Sequence, residues 1–482
     1  MESLKKYVKS SEAIVVFVIL ELLGLMCFGL GGSNIIFFVV GLIVNIATIP
    51  FMVINSNKQE LKHFALFALP LVLMALLICF GNMYKTPGLF VNNLFSFFAI
   101  VSFLMIGYSA RRIKSFKMEN GLIIIGGALA LIALISMFIT WFNYGLFYAT
   151  KYEATPIYYY NGELFDVTKE SSWLLGFSLS EVSLAYSGIF GFLSTLFLIG
   201  LLFINPKENI KKFLIYLVIG LVGLVALVTV PNKEALMLLI PSAIIGVCFR
   251  FIPRTERTKK VTNILFYLVV VIVVICLLVA ILNNYVPSVA NIVASNTFLR
   301  KAFNGRIMNK TNEVIKVIFK SGYFFGVKPT LLNGSILTAN TKMFEAEIMK
   351  EGGFLALVAF MVFMVFAFMS LREYNSKSKD SKLVKTMIIS LVFGLFIYSS
   401  LNYDAFYVVH SSEVYYPFFR SLPALVMICL LGYSFYPHFG KEVELYMDSE
   451  EFARGVELAP EVPKQTNKDK DYNFDEEDDL DE

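Results

Sequence analysis

Long apolar runs alternate with short polar segments along most of this chain. A helix needs about 20 apolar residues to cross a hydrocarbon core of about 30 Å, and runs of roughly that length recur along the chain. The pattern predicts an all-α, polytopic integral membrane protein with about 12 transmembrane helices. The predicted spans are residues 13–31, 35–54, 63–81, 90–109, 121–141, 184–204, 213–230, 235–252, 262–282, 353–371, 386–402 and 422–436.

One polar segment, residues 283–352, is far longer than the others and separates the ninth predicted span from the tenth. It holds nine cations and four glutamates. This excess of cations indicates an anionic ligand, and a solvated loop with surface charge is the alternative interpretation. The cations are Arg300, Lys301, Arg306, Lys310, Lys316, Lys320, Lys328, Lys342 and Lys350.

The short loops predict the orientation of the chain in the membrane. Lys and Arg residues number twenty-two in one set of alternating loops and five in the other set. Because short cytoplasmic loops carry the excess of Lys and Arg, both termini are predicted to be cytoplasmic. The long loop 283–352 then faces the outside, against the usual placement of cations.

The composition excludes a soluble protein. Hydrophobic residues make up 57% of the chain and charged residues 16%, whereas about 25% charged is usual in soluble domains. Residues 1–436 form the predicted transmembrane domain, and residues 437–482, which end in a run of acid, are predicted to be a disordered cytoplasmic tail. The sequence has no Walker loop, no dinucleotide-binding glycine motif and no zinc spacing, and its three histidines are scattered.

Glu21 is an acidic residue within the first predicted span. An ionisable group is costly there and tends to face the interior of the helix bundle. We favour a structural hydrogen bond as its role, with a step in a proton path as the alternative.

Two motifs on the predicted outer face contain a cation. The turn in TVPNKEALM places Lys233 between two spans at the membrane surface, where it can reach a lipid diphosphate. A helix-end anchor is the alternative for this lysine. Further along, Arg306 precedes an amphipathic stretch that ends in a glycine turn around Gly322 and Gly326.

A third motif, ANTKMFEAEIMKEGG, leads directly into the tenth predicted span. The apolar residues Ile348 and Met349 share that stretch with the acids Glu345 and Glu347. This pattern predicts a helix lying at the membrane interface before the chain enters the bilayer.

In their order and placement, the three motifs resemble the O-antigen ligase and polysaccharide polymerase superfamily of bacterial membrane glycosyltransferases. In that family a turn of the form T-x-S-R-x-A joins two central helices. Asn232, Lys233 and Ala235 stand at its Ser, Arg and Ala positions, and Thr229 stands one residue early. The resemblance covers roughly residues 180 to 400.

The family's long outer loop has an Arg followed by a glycine turn about twenty residues later, a spacing that Arg306 and Gly326 match. Its ligase branch continues with His-Asn, nine residues and a Gly. Counting back from Gly353 puts Lys342 and Met343 at the His and Asn positions. This departure weakens the ligase assignment and favours the polymerase branch.

The resemblance implies a GT-C-like enzyme that joins repeat units carried on undecaprenyl diphosphate at the outer face of the bacterial cytoplasmic membrane. It implies no cofactor, nucleotide sugar, metal or nucleic acid; the partners would be the lipid-linked glycan, membrane lipid and a chain-length regulator protein. Arg and Lys suit the diphosphate, and a carboxylate suits the catalytic base. The residues are Lys233, Arg300, Arg306 and Lys342 for the diphosphate, and Arg306, Glu345, Glu347 and Asp404 for catalysis.

Other functions remain open at this point. One is an O-antigen-ligase-type glycan transferase, and another is a lipid-linked polysaccharide flippase or transporter. A transporter is expected to place charges within spans and to keep its outer loops short, whereas these spans are nearly free of charge. A third hypothesis, a sensor or scaffold acting through the acidic tail, has no support beyond the tail.

Overall fold

The structure is a computed structural model, and the part of the chain that it describes lies within the unit Met1–His438. The predicted tail, residues 437–482, is outside the described residues. These are residues 11–30, 35–53, 56, 58–83, 87–113, 116–144, 157–160, 163–166, 173–174, 177–178, 186–229, 239–244, 248, 256–304, 312–313, 315–316, 344–377, 380–401 and 418–436.

Helices make up most of the described chain, and eleven of the twelve predicted spans coincide with them. The eighth span lies mostly outside the described residues. The helices are α1 (Ser11–Leu30), α2 (Ile35–Val53), α3 (Lys58–Met83), α4 (Pro87–Ala110), α5 (Met118–Tyr144), α6 (Tyr186–Thr195), α7 (Phe197–Gly200), α8 (Ile210–Thr229), α9 (Glu256–Tyr285), α10 (Pro287–Ser295), α11 (Thr297–Phe303), α12 (Phe344–Lys377), α13 (Lys382–Leu401) and α14 (Phe418–Tyr433).

Five helices in the described part are long and apolar enough to cross a membrane, and a bent pair raises the number to six. The chain is therefore a multi-pass membrane protein by helix composition. The five segments are Ile36–Val53, Lys58–Phe80, Met118–Ile135, Ile210–Leu227 and Gly352–Tyr374. Shorter apolar helices cover Ala13–Cys27, Ser96–Ala110, Gly191–Phe203 and Ala424–Tyr433, so the predicted number of twelve exceeds the number of full-length spans among the described residues.

Glycines allow neighbouring helices to approach closely, as small residues do in membrane proteins. A Cβ on Gly191 of α6 would lie 2.7 Å from the carbonyl oxygen of Gly223 in α8. The relation is reciprocal, since a Cβ on Gly223 would lie 2.6 Å from the Gly191 oxygen. Gly107 of α4 and Gly432 of α14 face the backbone of each other's helix in the same way.

The core of the bundle is aromatic where α3, α4 and the end of α14 meet. Phe64 stacks on Tyr108 with ring centroids 4.0 Å apart. Phe435, directly beyond α14, packs edge-on against Phe64 at 5.3 Å. All three side chains are buried, so this contact holds the three helices together at one end.

Two parts of the bundle expose apolar side chains, as helices that face lipid do. The α1–α2 hairpin exposes Ile19, Leu23 and Ile43, among others. Helix α9 exposes Ile264 and Val271 together with further apolar residues along its length. Both elements therefore lie at the periphery of the described bundle.

Two small hairpins add strands that the sequence analysis did not predict. Strands Ile157–Tyr160 and Glu163–Asp166 pair antiparallel, as do Trp173–Leu174 and Phe177–Ser178. They lie between α5 and α6. The described structure is otherwise helical.

Candidate functional site

The long loop begins with a sharp change of direction after α9. Val286 has an extended backbone (φ −112°, ψ 107°), and Pro287 starts α10 at a bend of 110° to α9. A residue before proline is disfavoured in the helical conformation, which explains why α9 ends there. Proline is favourable in the first turn of the next helix because its missing N–H is not needed. The loop therefore starts with two short helices, α10 and α11, set at an angle to the span.

Four asparagines then tie the loop back to the end of α9; we call Asn283, Asn284, Asn304 and Asn312 the asparagine cluster. Asn283 Nδ2 donates to Asn304 Oδ1 at 2.8 Å, and Asn284 Nδ2 donates to Asn312 Oδ1 at 3.1 Å. Asn312 Nδ2 in turn donates to the Phe303 carbonyl at 2.8 Å. Two consecutive residues of α9 thus hold points 21 and 28 residues further along the chain.

Tyr285 extends this attachment by one residue. Its hydroxyl lies 3.0 Å from the Ile315 carbonyl oxygen and 3.1 Å from that of Lys316. Ile315 is 3% exposed, so the chain after Asn312 is packed against the protein. Asn283 Oδ1 is buried and accepts no hydrogen bond from any residue that the structure describes.

Arg300 lies on α11, within the loop that the Asn283–Asn304 contact closes. Asn296 caps this helix, because its Oδ1 accepts from Phe298 N at 3.0 Å and Leu299 N at 3.1 Å. The Arg300 side chain is exposed and forms no ion pair with the residues of the described ranges. Its guanidinium can therefore offer a planar pair of N–H donors to an anion.

The loop ends in a helix that is broken at a glycine. Gly353, within α12, has φ 83° and ψ 179°, a conformation that is nearly restricted to glycine. The segment Phe344–Gly352 therefore meets the long apolar part of α12 at a kink. A Cβ on Gly352 would lie 2.8 Å from Ile78 Cγ1 of α3, so the kink is packed against the bundle.

This segment differs from the predicted interface helix. Ile348 is 0% exposed and Met349 is 4% exposed, and both belong to the main hydrophobic core. The segment packs into the bundle with its apolar face, because Ala346 is also buried. Glu345, on the same segment, is half-buried. The prediction of a helix leading into the span is confirmed, but its apolar face contacts protein.

The structure places three of the seven candidate site residues. Arg300 and Glu345 have described side chains, on α11 and α12 respectively, and Glu347 has a described backbone in α12. These two helices flank the loop at its beginning and its end, and no ion pair joins Arg300 to Glu345. The remaining candidates, Lys233, Arg306, Lys342 and Asp404, lie outside the described residues.

The sequence analysis missed the asparagine cluster. Asn304 lies two residues before Arg306 and Asn312 lies six residues after it, so the cluster holds the chain on both sides of that arginine. The sequence signal was the doublet Asn283–Asn284 at the end of an apolar run, followed by single asparagines. Amides at the end of a span are common, and only the fold shows that these four meet.

Among the ranges that the structure describes, no three His, Cys, Asp or Glu side chains come together as metal ligands. Comparison with known protein families, curated proteins and solved structures finds no match for this chain.

Proposed function

We propose that this protein is a polysaccharide polymerase that joins oligosaccharide repeat units carried on undecaprenyl diphosphate at the outer face of the bacterial cytoplasmic membrane. The proposed architecture is GT-C-like, with about twelve spans, both termini in the cytoplasm and the loop 283–352 outside between the ninth and tenth spans. The observation that carries the proposal is this cation-rich loop. Its start is held by the asparagine cluster, and its end is held by the kink at Gly353.

The proposed reaction needs two kinds of group. A hydroxyl of the acceptor glycan attacks the anomeric carbon of the donor, the bond from that carbon to the diphosphate oxygen breaks, and undecaprenyl diphosphate leaves. Cations stabilise the charge that develops on the diphosphate, and a carboxylate takes the proton of the attacking hydroxyl. The cations are Lys233, Arg300, Arg306 and Lys342, and the carboxylates are Glu345, Glu347 and Asp404.

The described geometry supports this division of roles. Arg300 is exposed on α11, as a diphosphate-binding residue must be, and Glu345 is half-buried on the segment at the other end of the loop. A chain-length regulator protein is the proposed protein partner, and membrane lipid surrounds the spans.

A lipid-linked polysaccharide flippase or transporter is the second function that we consider. The observation in its favour is Glu21, an acid that is 0% exposed within α1. Ionisable residues inside spans are typical of transport pathways. A ligase-type transferase is a less favourable alternative, because Lys342 and Met343 replace the His-Asn pair of that branch.

Deletion of the gene, followed by electrophoresis of the surface polysaccharide, tests the proposal. A polymerase mutant should still display glycans of a single repeat unit. Long chains that accumulate without attachment to their acceptor would indicate a ligase. Loss of all surface glycan, with repeat units retained on the inner face, would indicate a flippase.

The proposed orientation has its own test. Cysteines introduced singly at Ser295 and Ser376 should differ in their reaction with a membrane-impermeant thiol reagent. Ser295 is exposed at the end of α10, at the start of the loop, and should react in intact cells. Labelling at position 376 from outside would contradict the cytoplasmic placement of the connection between α12 and α13.

A further inference from the structure

Glu21 lies at the junction of three helices. Its residue is 0% exposed in the middle of α1. The Thr48 hydroxyl of α2 donates to Glu21 Oε2, and the Ser102 hydroxyl of α4 donates to Glu21 Oε1. Each carboxyl oxygen therefore contacts a hydroxyl on a different neighbouring helix.

A second polar side chain lies one helical turn away. Asn45 of α2 is 0% exposed, and neither its Oδ1 nor its Nδ2 has a hydrogen-bond partner among the residues that the structure describes. It faces α1 at Gly24, one turn beyond Glu21, where an added Cβ would lie 2.5 Å from Asn45 Oδ1. Buried side-chain amides normally form hydrogen bonds. An amide without such a partner among the described residues therefore sets this position apart from an ordinary packing contact.

The charge balance around Glu21 favours a neutral acid. Helices α1, α2 and α4 contain no Lys, Arg or His, and their other ionisable residues are Glu12, Cys27 and Tyr108. An ionised carboxylate buried without a cation is strongly unfavourable, and such groups neutralise instead. These three helices therefore supply no cation to balance a carboxylate at Glu21.

The hydrogen bonds around Glu21 fit a neutral, protonated acid. Thr48 has one hydroxyl hydrogen, and its oxygen lies 2.9 Å from the Val44 carbonyl as well as against Glu21. When Glu21 is neutral, its O–H donates to Thr48 and Thr48 donates to Val44, so every group is satisfied. The hydroxyls of Thr48 and Ser102 both contact the carboxyl group directly.

We propose that Glu21 is a proton-binding site inside the membrane-spanning helices. The carboxyl O–H forms when water delivers a proton and breaks when water takes it away. The neutral acid keeps the α1–α2 hairpin packed on α4. Release of the proton leaves a carboxylate that needs water, which enters only if the hairpin separates from α4. The inference does not depend on the proposed polymerase activity.

Other contacts define where the hairpin would separate. Ser109 Oγ of α4 donates to the Met52 carbonyl of α2 at 3.2 Å, and Arg112 donates to the same oxygen at 3.3 Å. These contacts lie beyond Thr48 toward the end of α2. They hold one end of the hairpin on α4 independently of Glu21, so proton release would open the hairpin from its other end.

Infrared difference spectroscopy of the full-length protein in lipid nanodiscs tests the proposal. The spectrum of the wild type minus that of Glu21→Gln should show, near neutral pH, the carbonyl band of one protonated carboxylic acid. The band should give way to carboxylate bands at alkaline pH and shift in heavy water. A difference spectrum with carboxylate bands alone near neutral pH would overturn the proposal.

Two further variants keep the carboxyl group in place. In Thr48→Val and in Ser102→Ala the protonated band should persist but change frequency, because the acid loses one hydrogen-bond partner. An unchanged band in both variants would refute the hydrogen bonds of Glu21 with Thr48 and Ser102, on which the proposal rests. Replacing choline chloride by sodium chloride should leave the wild-type band unaltered. Loss of the band on addition of sodium would show that Glu21 binds a metal cation instead of a proton, and would overturn the proposal.

Discussion

Replacing Asn284 by alanine should loosen the start of the long loop. The substitution removes two hydrogen bonds that Asn284 Nδ2 donates, one to the Ala280 carbonyl at 2.8 Å and one to Asn312 Oδ1 at 3.1 Å. Asn312 is 8% exposed, so its Oδ1 loses a protein donor where little water can replace it. The backbone hydrogen bonds of α9 should remain intact, whereas the chain near Asn312 loses a hydrogen bond that holds it to α9.

The expected destabilisation of the loop follows from the loss of a donor to Asn312 Oδ1. Leaving one buried acceptor without a partner costs about 1–3 kcal/mol. At about 1.4 kcal/mol per tenfold change, this corresponds to an opening equilibrium raised by about fivefold to about 150-fold. Asn283 and Tyr285 retain their contacts with Asn304 and Ile315, so the loop should open locally without unfolding the bundle.

Hydrogen exchange measured by mass spectrometry is the assay. The Asn304 amide, which directly follows α11 and donates to the Arg300 carbonyl at 2.9 Å, should exchange faster by that factor. Asn291→Ala is the matched control, because Asn291 is an exposed asparagine of the neighbouring helix α10. Exchange in Asn284→Ala equal to the wild type, or acceleration only in the control, would refute the role of the asparagine cluster.

Three further experiments test Arg306, Gly353 and the acidic tail. Both Arg306→Lys and Arg306→Ala should lower the rate of polymerisation, by about a hundredfold for the loss of one phosphate contact. The control Lys316→Ala should lower this rate only slightly. Wild-type polymer from Arg306→Ala at a normal protein level would refute the role of Arg306 in binding phosphate. Gly353→Ala should lower stability in detergent by about 1–3 kcal/mol, and Gly127→Ala, with open space around its Cβ, should not. Truncation after Pro460 should leave glycan length nearly unchanged, and complete loss of polymer would contradict a dispensable tail.

Apolar run length was a sufficient guide to the helices. A membrane requires each crossing segment to satisfy its own backbone hydrogen bonds, so a long apolar run has few alternatives to a helix. The predicted first span, 13–31, accordingly matches Ser11–Leu30. The sequence also contains the cause of the bend after α9, because the residue before a proline such as Pro287 is disfavoured in a helix.

The pattern of apolar runs did not predict the tertiary contacts. Ile348 and Met349 have the spacing of an interface helix, yet they are buried, because the kink at Gly353 turns the segment against α3. The asparagine cluster depends on contacts across 21 and 28 residues that local sequence does not specify. The position of Glu21, in contrast, was predicted correctly from the sequence. An ionisable side chain inside a span is energetically unfavourable in lipid, so a buried, hydrogen-bonded position was expected, and the structure shows one.

Reconstitution of the purified protein in liposomes tests the central proposal most directly. The substrate is a single oligosaccharide repeat unit on undecaprenyl diphosphate, supplied to the face that carries the loop 283–352. The account predicts a ladder of longer lipid-linked glycans and the release of one undecaprenyl diphosphate for each bond formed. Repeat units that stay single while folded protein is present, or that cross the bilayer without elongation, would contradict it.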